Sequence, residues 1–161
     1  METNGQLRIF LIDDEKYCLH LYTRYLEALG FTQVQSFSDS AESLNQLTLK
    51  PDLIFLDYNM DNLNGIDILR KIKRFDPNIL VVFISGQEDI NIAVNALKYG
   101  ALDYITKDTF DAARIKLCLE KVLQIREMIR NKRKRSRVTK ILSGAGLLSV
   151  VYFIQKAFAN L

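Results

Sequence analysis

Five short apolar runs alternate with segments of helical periodicity along the first 129 residues. The runs LRIFLI, LIFL and ILVVFI are continuous and apolar apart from Arg8, as expected for strands that are buried on both faces of a sheet. The intervening segments repeat apolar residues three and four positions apart, which is typical of amphipathic helices. The pattern predicts strands at 7–12, 33–37, 53–56, 79–84 and 102–105, and helices at 15–29, from Ser38 or Ser40 to 47, at 65–75, at 88–99 and from about 111.

Strand–helix alternation of this kind predicts a parallel sheet that is covered by helices on both faces. The fold class is therefore α/β. In such open sheets, ligands bind in the crevice beyond the carboxyl ends of the strands. The residues that directly follow each predicted strand are the first candidates for a functional site.

Charged and polar residues stand at four of these strand ends. Asp13 and Asp14 follow the first strand, Asp57 the third, Ser85 the fourth and Lys107 the fifth. Any one of them alone is more often a helix cap or a turn residue. Together they indicate chemistry, because crowded carboxylates are unfavourable unless a cation lies between them, and Mg²⁺ prefers hard oxygen ligands. A carboxylate in such a site can act as a nucleophile toward phosphorus.

The motifs at these positions resemble the receiver domain of two-component response regulators. They are LIDDE at 11–15, LIFLDYNM at 53–60, Gly65, FISG at 83–86 and DYITK at 103–107. The resemblance covers residues 7 to about 125. It implies the flavodoxin-like, doubly wound (βα)5 fold with strand order 2-1-3-4-5.

The resemblance also implies roles for the acidic residues. Asp57 is expected to be the phosphoacceptor. Asp13 and Asp14 are expected to hold Mg²⁺, with Asp57 and the backbone carbonyl of Asn59 as the remaining protein ligands. The phosphoryl donor would be a histidine kinase or a phosphotransfer protein, and the protein would catalyse only its own phosphorylation and dephosphorylation.

Three further positions match residues that respond to phosphorylation in the family. By resemblance, Ser85 and Lys107 contact the phosphoryl group, and Ser85 and Tyr104 form the switch. Inward movement of Ser85 would make room for Tyr104, and the surface of the fourth helix, fifth strand and fifth helix would change.

Two residues depart from the family pattern. Asp108 follows Lys107, and Asp61 follows Met60, where family members commonly have proline. Asp61 adds negative charge and backbone freedom near Asp57, so we expect an altered lifetime of the phosphoryl group. The measurement is the dephosphorylation rate of an Asp61→Pro variant, and a rate equal to that of the unmodified protein would contradict this expectation.

Two functions other than a phosphorylated receiver stay open at this point. A phosphatase with an Asp nucleophile usually has a second Asp two residues further on, and Asn59 stands there. A scaffold with the receiver fold, acting through its C-terminal tail without phosphorylation, is the other. A flavin-binding protein of the same fold is disfavoured, because no Ser- or Thr-rich loop follows the first strand.

The net charge of +3 hides a division of the chain. Residues 130–161 contain eight Lys or Arg and no acid, whereas residues 1–129 contain 14 basic and 19 acidic residues. We therefore predict a disordered N-terminus at 1–6, a receiver domain at 7–127 and a basic, apolar helical tail at 128–161.

The N-terminus METNGQ lacks the layout of a signal peptide, which favours a cytoplasmic location. Cys18 and Cys118 are expected to be small buried residues.

The tail has four interpretations. The basic run KRKRSR at 132–137 precedes the uncharged segment 141–155, a combination that favours membrane contact through 132–161. The same apolar segment, together with the fifth helix, would suit a homodimer or a partner protein. Nucleic-acid binding is disfavoured, because the chain that follows the receiver is too short for a helix-turn-helix. A solvated linker is the fourth interpretation.

Overall fold

The computed structural model describes residues 7–60, 64–86 and 90–132, and these form strands and helices in strict alternation. Two short 3₁₀ turns, Gln46–Leu49 and Lys107–Thr109, follow the second helix and the fifth strand. The regular elements are β1 (Ile9–Ile12), α1 (Lys16–Ala28), β2 (Val34–Phe37), α2 (Ser40–Asn45), β3 (Leu53–Asp57), α3 (Gly65–Phe75), β4 (Leu80–Ser85), α4 (Ile90–Lys98), β5 (Asp103–Thr106) and α5 (112–132).

All five strands are parallel and lie in the order β2-β1-β3-β4-β5. This confirms the predicted flavodoxin-like α/β fold. In the register, Ile12 pairs with Leu56, and Asp57 pairs with Ile84. The carboxyl ends of the three central strands therefore meet at one edge of the sheet, and the residues that follow them are brought together.

The apolar runs are buried because both faces of the sheet are covered. On one face, alternate residues such as Phe10, Ile54 and Phe83 belong to a cluster with residues of α3 and α4. On the other face, Phe55 meets Phe110 edge to face, and Phe110 packs against Tyr22 of α1 at a ring distance of 4.0 Å. β1, β3 and β4 are buried at every position, as strands covered on both faces should be.

The start of α2 differs from the prediction. Neither Ser38 nor Ser40 caps the helix; Asp39 does, and its Oδ1 accepts the backbone N–H of Glu42 at 2.7 Å. An Asp carboxylate serves here because it carries a full negative charge at the positive end of the helix. The helix then tightens into the 3₁₀ turn Gln46–Leu49, which is followed by Lys50 with φ at +56°.

The contacts within the chain divide it into two units, Met1–Glu120 and Lys121–Leu161. Residues 112–120 of α5 belong to the first unit, and the described part of the second, 121–132, is helical. Four features of the prediction lie outside the described residues. They are the disordered N-terminus, Asp61, the start of the fourth helix at 88 and the tail beyond 132. Among the helices that are described, none has both the length and the apolar character needed to cross a bilayer.

Gly65 is the residue that allows α3 to begin close to the end of β3. A Cβ atom at this position would lie 2.7 Å from Cε1 of Phe83, 3.0 Å from Cα of Tyr58 and 3.1 Å from the carbonyl oxygen of Asp57. Two of these neighbours are backbone atoms and the third is a fully buried ring. Only a residue without a side chain fits, because none of the three can move aside freely.

Replacing Gly65 with Ala should therefore destabilise the protein by about 1–3 kcal/mol, the usual cost of forcing an extra carbon into a packed interior. The measurement is the free energy of unfolding in urea. Gly86→Ala is the matched control, since a Cβ at Gly86 would meet nothing within 4 Å. Equal stabilities of the two variants would contradict the packing argument.

Candidate functional site

Three carboxylates converge where β1 and β3 end. Asp13, Asp14 and Asp57 each offer an oxygen atom, and these atoms lie within 4.8 Å of one another. Asp13 and Asp57 are buried, with 2% of each residue exposed, whereas Asp14 is half-buried. β1 and β3 are neighbours in the sheet, so the chain brings together acids that are 44 positions apart in the sequence.

Lys107 reaches this cluster from the end of β5. Its Nζ lies 3.1 Å from Oδ2 of Asp13 and 3.4 Å from Oδ2 of Asp57. The same ammonium also donates a hydrogen bond to a carboxylate outside the cluster, to Oε1 of Glu15 at 3.0 Å. The lysine side chain is 19% exposed, so the pairs with Asp13 and Asp57 are largely shielded from water.

The two buried aspartates titrate above the usual range. Burial, and then the negative charge of Asp13, raise the pKa of Asp57 to about 6, although Lys107 opposes the shift. Burial also raises the pKa of Asp13, against the hydrogen bond that its Oδ1 accepts from the backbone N–H of Glu15. Both shifts follow from the cost of placing a negative charge where little water reaches it.

The pKa values of Lys107 and Glu15 shift in the directions that favour their charged forms. Burial lowers the pKa of Lys107, but the hydrogen bond to Glu15, the close contact with the Asp13 carboxylate and the charge of Asp57 outweigh burial and raise it. The hydrogen bond from Lys107 lowers the pKa of Glu15. The lysine is therefore a permanent cation at physiological pH.

The loop that carries Lys107 is fixed without a proline. The turn Lys107–Thr109 is closed by Thr109, whose hydroxyl donates to the carbonyl of Thr106 at 3.1 Å and lies 2.8 Å from the Thr106 hydroxyl. Directly after the turn, the buried ring of Phe110 packs between Tyr22 and Phe55. The backbone of Lys107 is thus held on both sides, by β5 and by Phe110.

The remaining predicted residues surround the cluster at different depths. Ser85 is the last residue of β4, is fully buried and stands opposite Thr106 in the register. Tyr104 stands opposite Phe83, is half-buried and packs against the core cluster. Asn59 is exposed and pairs with Asn64 in an isolated bridge. The acids and Lys107 meet directly, while Ser85 and Tyr104 lie in the neighbouring strands.

The residues of the cluster fit a divalent cation. Oδ2 of Asp13 and Oδ1 of Asp57 are buried, and neither accepts a hydrogen bond from the described residues. The 3.1 Å contact of Asp13 with Lys107 is an ion pair without hydrogen-bond geometry. Buried oxygens that lack donors are costly. Mg²⁺, which takes hard oxygen ligands, would satisfy both of them, with Asp14 as a third carboxylate.

Glu15 is the member of the site that sequence reasoning missed. It is part of the motif LIDDE, but it also begins a helical pattern, and this pattern predicts an ordinary helix residue at its position. The structure instead joins it to Lys107, 92 positions away. The only signal in the sequence was a third acid beside a predicted metal-binding pair.

A sequence model of the family described as "Response regulator receiver domain" matches residues 9–120. Among the relatives, a protein-glutamate methylesterase/protein-glutamine glutaminase of Geobacter sulfurreducens is 32% identical over 79% of this chain and 33% of its own length. The nitrogen assimilation regulatory protein NtrX of Azorhizobium caulinodans is 34% identical over 89% of this chain and 32% of its own. The chain thus spans about a third of the length of these curated relatives.

Solved structures share the fold. The crystal structure of a response regulator receiver domain protein from Clostridium thermocellum superposes with a TM-score of 0.71 at 30% identity. The match covers 76% of this chain and 98% of that one. The sheet and its helices are therefore those of a receiver domain.

Replacing Asp57 with Asn should stabilise the protein in metal-free buffer. The pKa of Asp57 is about 6 in the folded state and 3.8 in the unfolded state. Ionisation of Asp57 therefore lowers the free energy of unfolding as the pH rises from about 4 to about 6, and the full loss is present above pH 6. Removing the charge should raise the free energy of unfolding by on the order of 1–3 kcal/mol at pH 7.5 and change it little at pH 4.

The measurement is the free energy of unfolding in urea with EDTA at the two pH values. Glu120→Gln removes an exposed acid and is the control, for which we expect a change within about 0.5 kcal/mol. Mg²⁺ should reduce the difference in the free energy of unfolding between the Asp57→Asn variant and the unmodified protein. An Asp57→Asn variant that is less stable at pH 7.5 would contradict the prediction.

Proposed function

The chain belongs to the response regulator receiver family, and on that premise we propose that it accepts a phosphoryl group on Asp57 in two-component signalling. The observation that carries the proposal is the state of the Asp57 carboxylate. One of its oxygens is buried without a hydrogen-bond donor among the described residues, and the other lies 3.4 Å from the ammonium of Lys107. The carboxylate therefore has a free electron pair and a cation beside it.

In the proposed reaction, a carboxylate oxygen of Asp57 donates an electron pair to phosphorus and forms a P–O bond. The bond between phosphorus and the donor's leaving atom breaks, and its electron pair departs with the donor. That atom is the imidazole nitrogen of a phosphohistidine or the carboxylate oxygen of acetyl phosphate. The product is an acyl phosphate, and water later restores the carboxylate by releasing inorganic phosphate.

Lys107 and Ser85 stabilise the charge that develops during transfer. The ammonium of Lys107 supplies a compact positive charge for a phosphoryl oxygen. The hydroxyl of Ser85 is proposed to donate a hydrogen bond to another, from the end of the strand next to Asp57. Mg²⁺, held by Asp13, Asp14, Asp57 and the carbonyl of Asn59, would neutralise the remaining negative charge when bound. The protein's contribution is mainly positioning and electrostatics.

The proposed output is a change on the surface formed by α4, β5 and α5. Ile90, Val94 and Leu97 lie along one stripe of α4 and are between 51% and 74% exposed. Leu117 of α5 is also exposed. Movement of Ser85 toward the phosphoryl group, followed by Tyr104, would alter this apolar surface and hence its affinity for a partner or a second copy.

No enzymatic output is proposed for this chain beyond turnover of its own phosphoryl group. The Asp-nucleophile phosphatase is the weaker alternative, because Asn59 is exposed and cannot act as the second acid. A cytoplasmic location, dimerisation through the fifth helix and tail, and membrane contact through 132–161 stay predictions. The residues that bear on the tail lie outside the described part of the chain.

Incubation with acetyl phosphate and Mg²⁺ should add one labile phosphoryl group, detected by mass spectrometry of the intact protein. Asp57→Asn should abolish the label, because the nucleophile is absent. Asp67→Asn, which removes an exposed acid at the start of α3, should leave it unchanged. A label that persists in Asp57→Asn, or that forms equally well with EDTA in place of Mg²⁺, would refute the proposal.

A further inference from the structure

Glu15 makes two contacts although it lies at the surface. Its Oε1 accepts a hydrogen bond from Lys107 at 3.0 Å, and its Oε2 lies 3.6 Å from the thiol of Cys18, which donates to it. The side chain is 61% exposed. Both carboxylate oxygens are therefore engaged, and the group is oriented toward the site by a residue one turn further along α1.

A capping role at the start of α1 does not explain the contact of Glu15 with Lys107. Glu15 is the N-cap residue of α1, but its side chain makes no capping hydrogen bond. The carboxylate of Asp13 accepts the backbone N–H of Glu15 instead. The side chain of Glu15 therefore makes no capping hydrogen bond to the helix backbone, and its Oε1 is directed to Lys107.

The distances rank the partners of Lys107. The exposed Glu15 is nearest, at 3.0 Å, and the buried acceptor Asp57 is the most distant, at 3.4 Å. A phosphoryl group on Asp57 adds negative charge and three oxygens close to the ammonium. Lys107 must then turn toward Asp57, and Glu15 is the partner that water can most easily replace, because it is already largely solvated.

We propose that Glu15 is a positioning residue that holds Lys107 in the unphosphorylated protein and releases it to the phosphoryl group, an inference that rests on the proposed phosphorylation of Asp57. The ion pair between Glu15 and Lys107 stabilises the unphosphorylated state, and its free energy is lost when Lys107 changes partner. Removing the Glu15 charge frees the ammonium in advance, so the protein is phosphorylated faster. Lys107 already contacts the phosphoryl oxygens in the transition state, and most of the effect therefore appears in the rate of labelling.

The first experiment measures the initial rate of Asp57 labelling by acetyl phosphate in the full chain, at saturating Mg²⁺. Glu15→Gln keeps the shape of the side chain and removes its charge, and it should label about two- to fivefold faster, the range given by a partly exposed ion pair. Glu27→Gln makes the same change in net charge on an exposed residue at the far end of α1 and should label at the original rate.

A Lys107→Gln background separates release of the lysine from simple repulsion of the anionic donor. If Glu15 acts through Lys107, Glu15→Gln gains nothing in this background. Acceleration that persists there, or a Glu15→Gln variant that labels at or below the original rate, overturns the inference while leaving the phosphorylation of Asp57 intact. An unmodified protein that takes no label at Asp57 overturns the proposed function, and the role of Glu15 falls with it.

A second measurement avoids catalysis, since Lys107→Gln can slow labelling below detection. The coupling between Glu15 and Lys107 is obtained from the urea unfolding of the two single variants and the double variant. With Mg²⁺ alone, the coupling should correspond to about a two- to fivefold change in the equilibrium constant of unfolding. It should vanish when beryllium trifluoride, an analogue of the acyl phosphate, saturates Asp57. Absent coupling in the first condition, or undiminished coupling in the second, contradicts the exchange.

Discussion

The pairing of Lys107 with two buried aspartates is the interaction on which the site depends. Burying Asp13 and Asp57 within one crevice is unfavourable, because each carboxylate loses water and repels the other. Lys107 offsets this cost, and it does so from β5, two strands away from β3. That is a distance of about 10 Å between strand axes, and a long side chain is required to cross it. The strand order, the acids and the lysine are therefore parts of one electrostatic arrangement.

Much of this arrangement can be predicted from the sequence. The apolar runs predict the buried strands, and the parallel topology predicts that residues such as Asp13 and Asp57 meet at one edge. Finer choices are harder, because neighbouring side chains compete: Asp39 caps α2 although Ser38 and Ser40 flank it. The contact of Glu15 with Lys107 depends on side-chain directions across 92 positions, which no local pattern encodes.

The departure from the family pattern after Lys107 has a local structural answer. Where a proline would restrict the backbone, the hydroxyls of Thr106 and Thr109 close a short turn by hydrogen bonding. Asp108 lies within that turn and is exposed. Hydrogen bonds of this kind fix a turn through side chains. The position of Lys107 therefore depends on residues on both sides of the substituted site.

The anchoring of Phe110 between Tyr22 and Phe55 sets the timescale on which the site can respond. Because its backbone is held by β5 and by this aromatic stack, the proposed change of partners by Lys107 requires only rotation about its side-chain bonds, without displacement of the loop. Rotations of partly exposed side chains take picoseconds to nanoseconds, whereas loop movements take up to microseconds. In the proposed reaction, reorientation of the ammonium toward the phosphoryl group is therefore expected to be faster than a rearrangement of the loop would be.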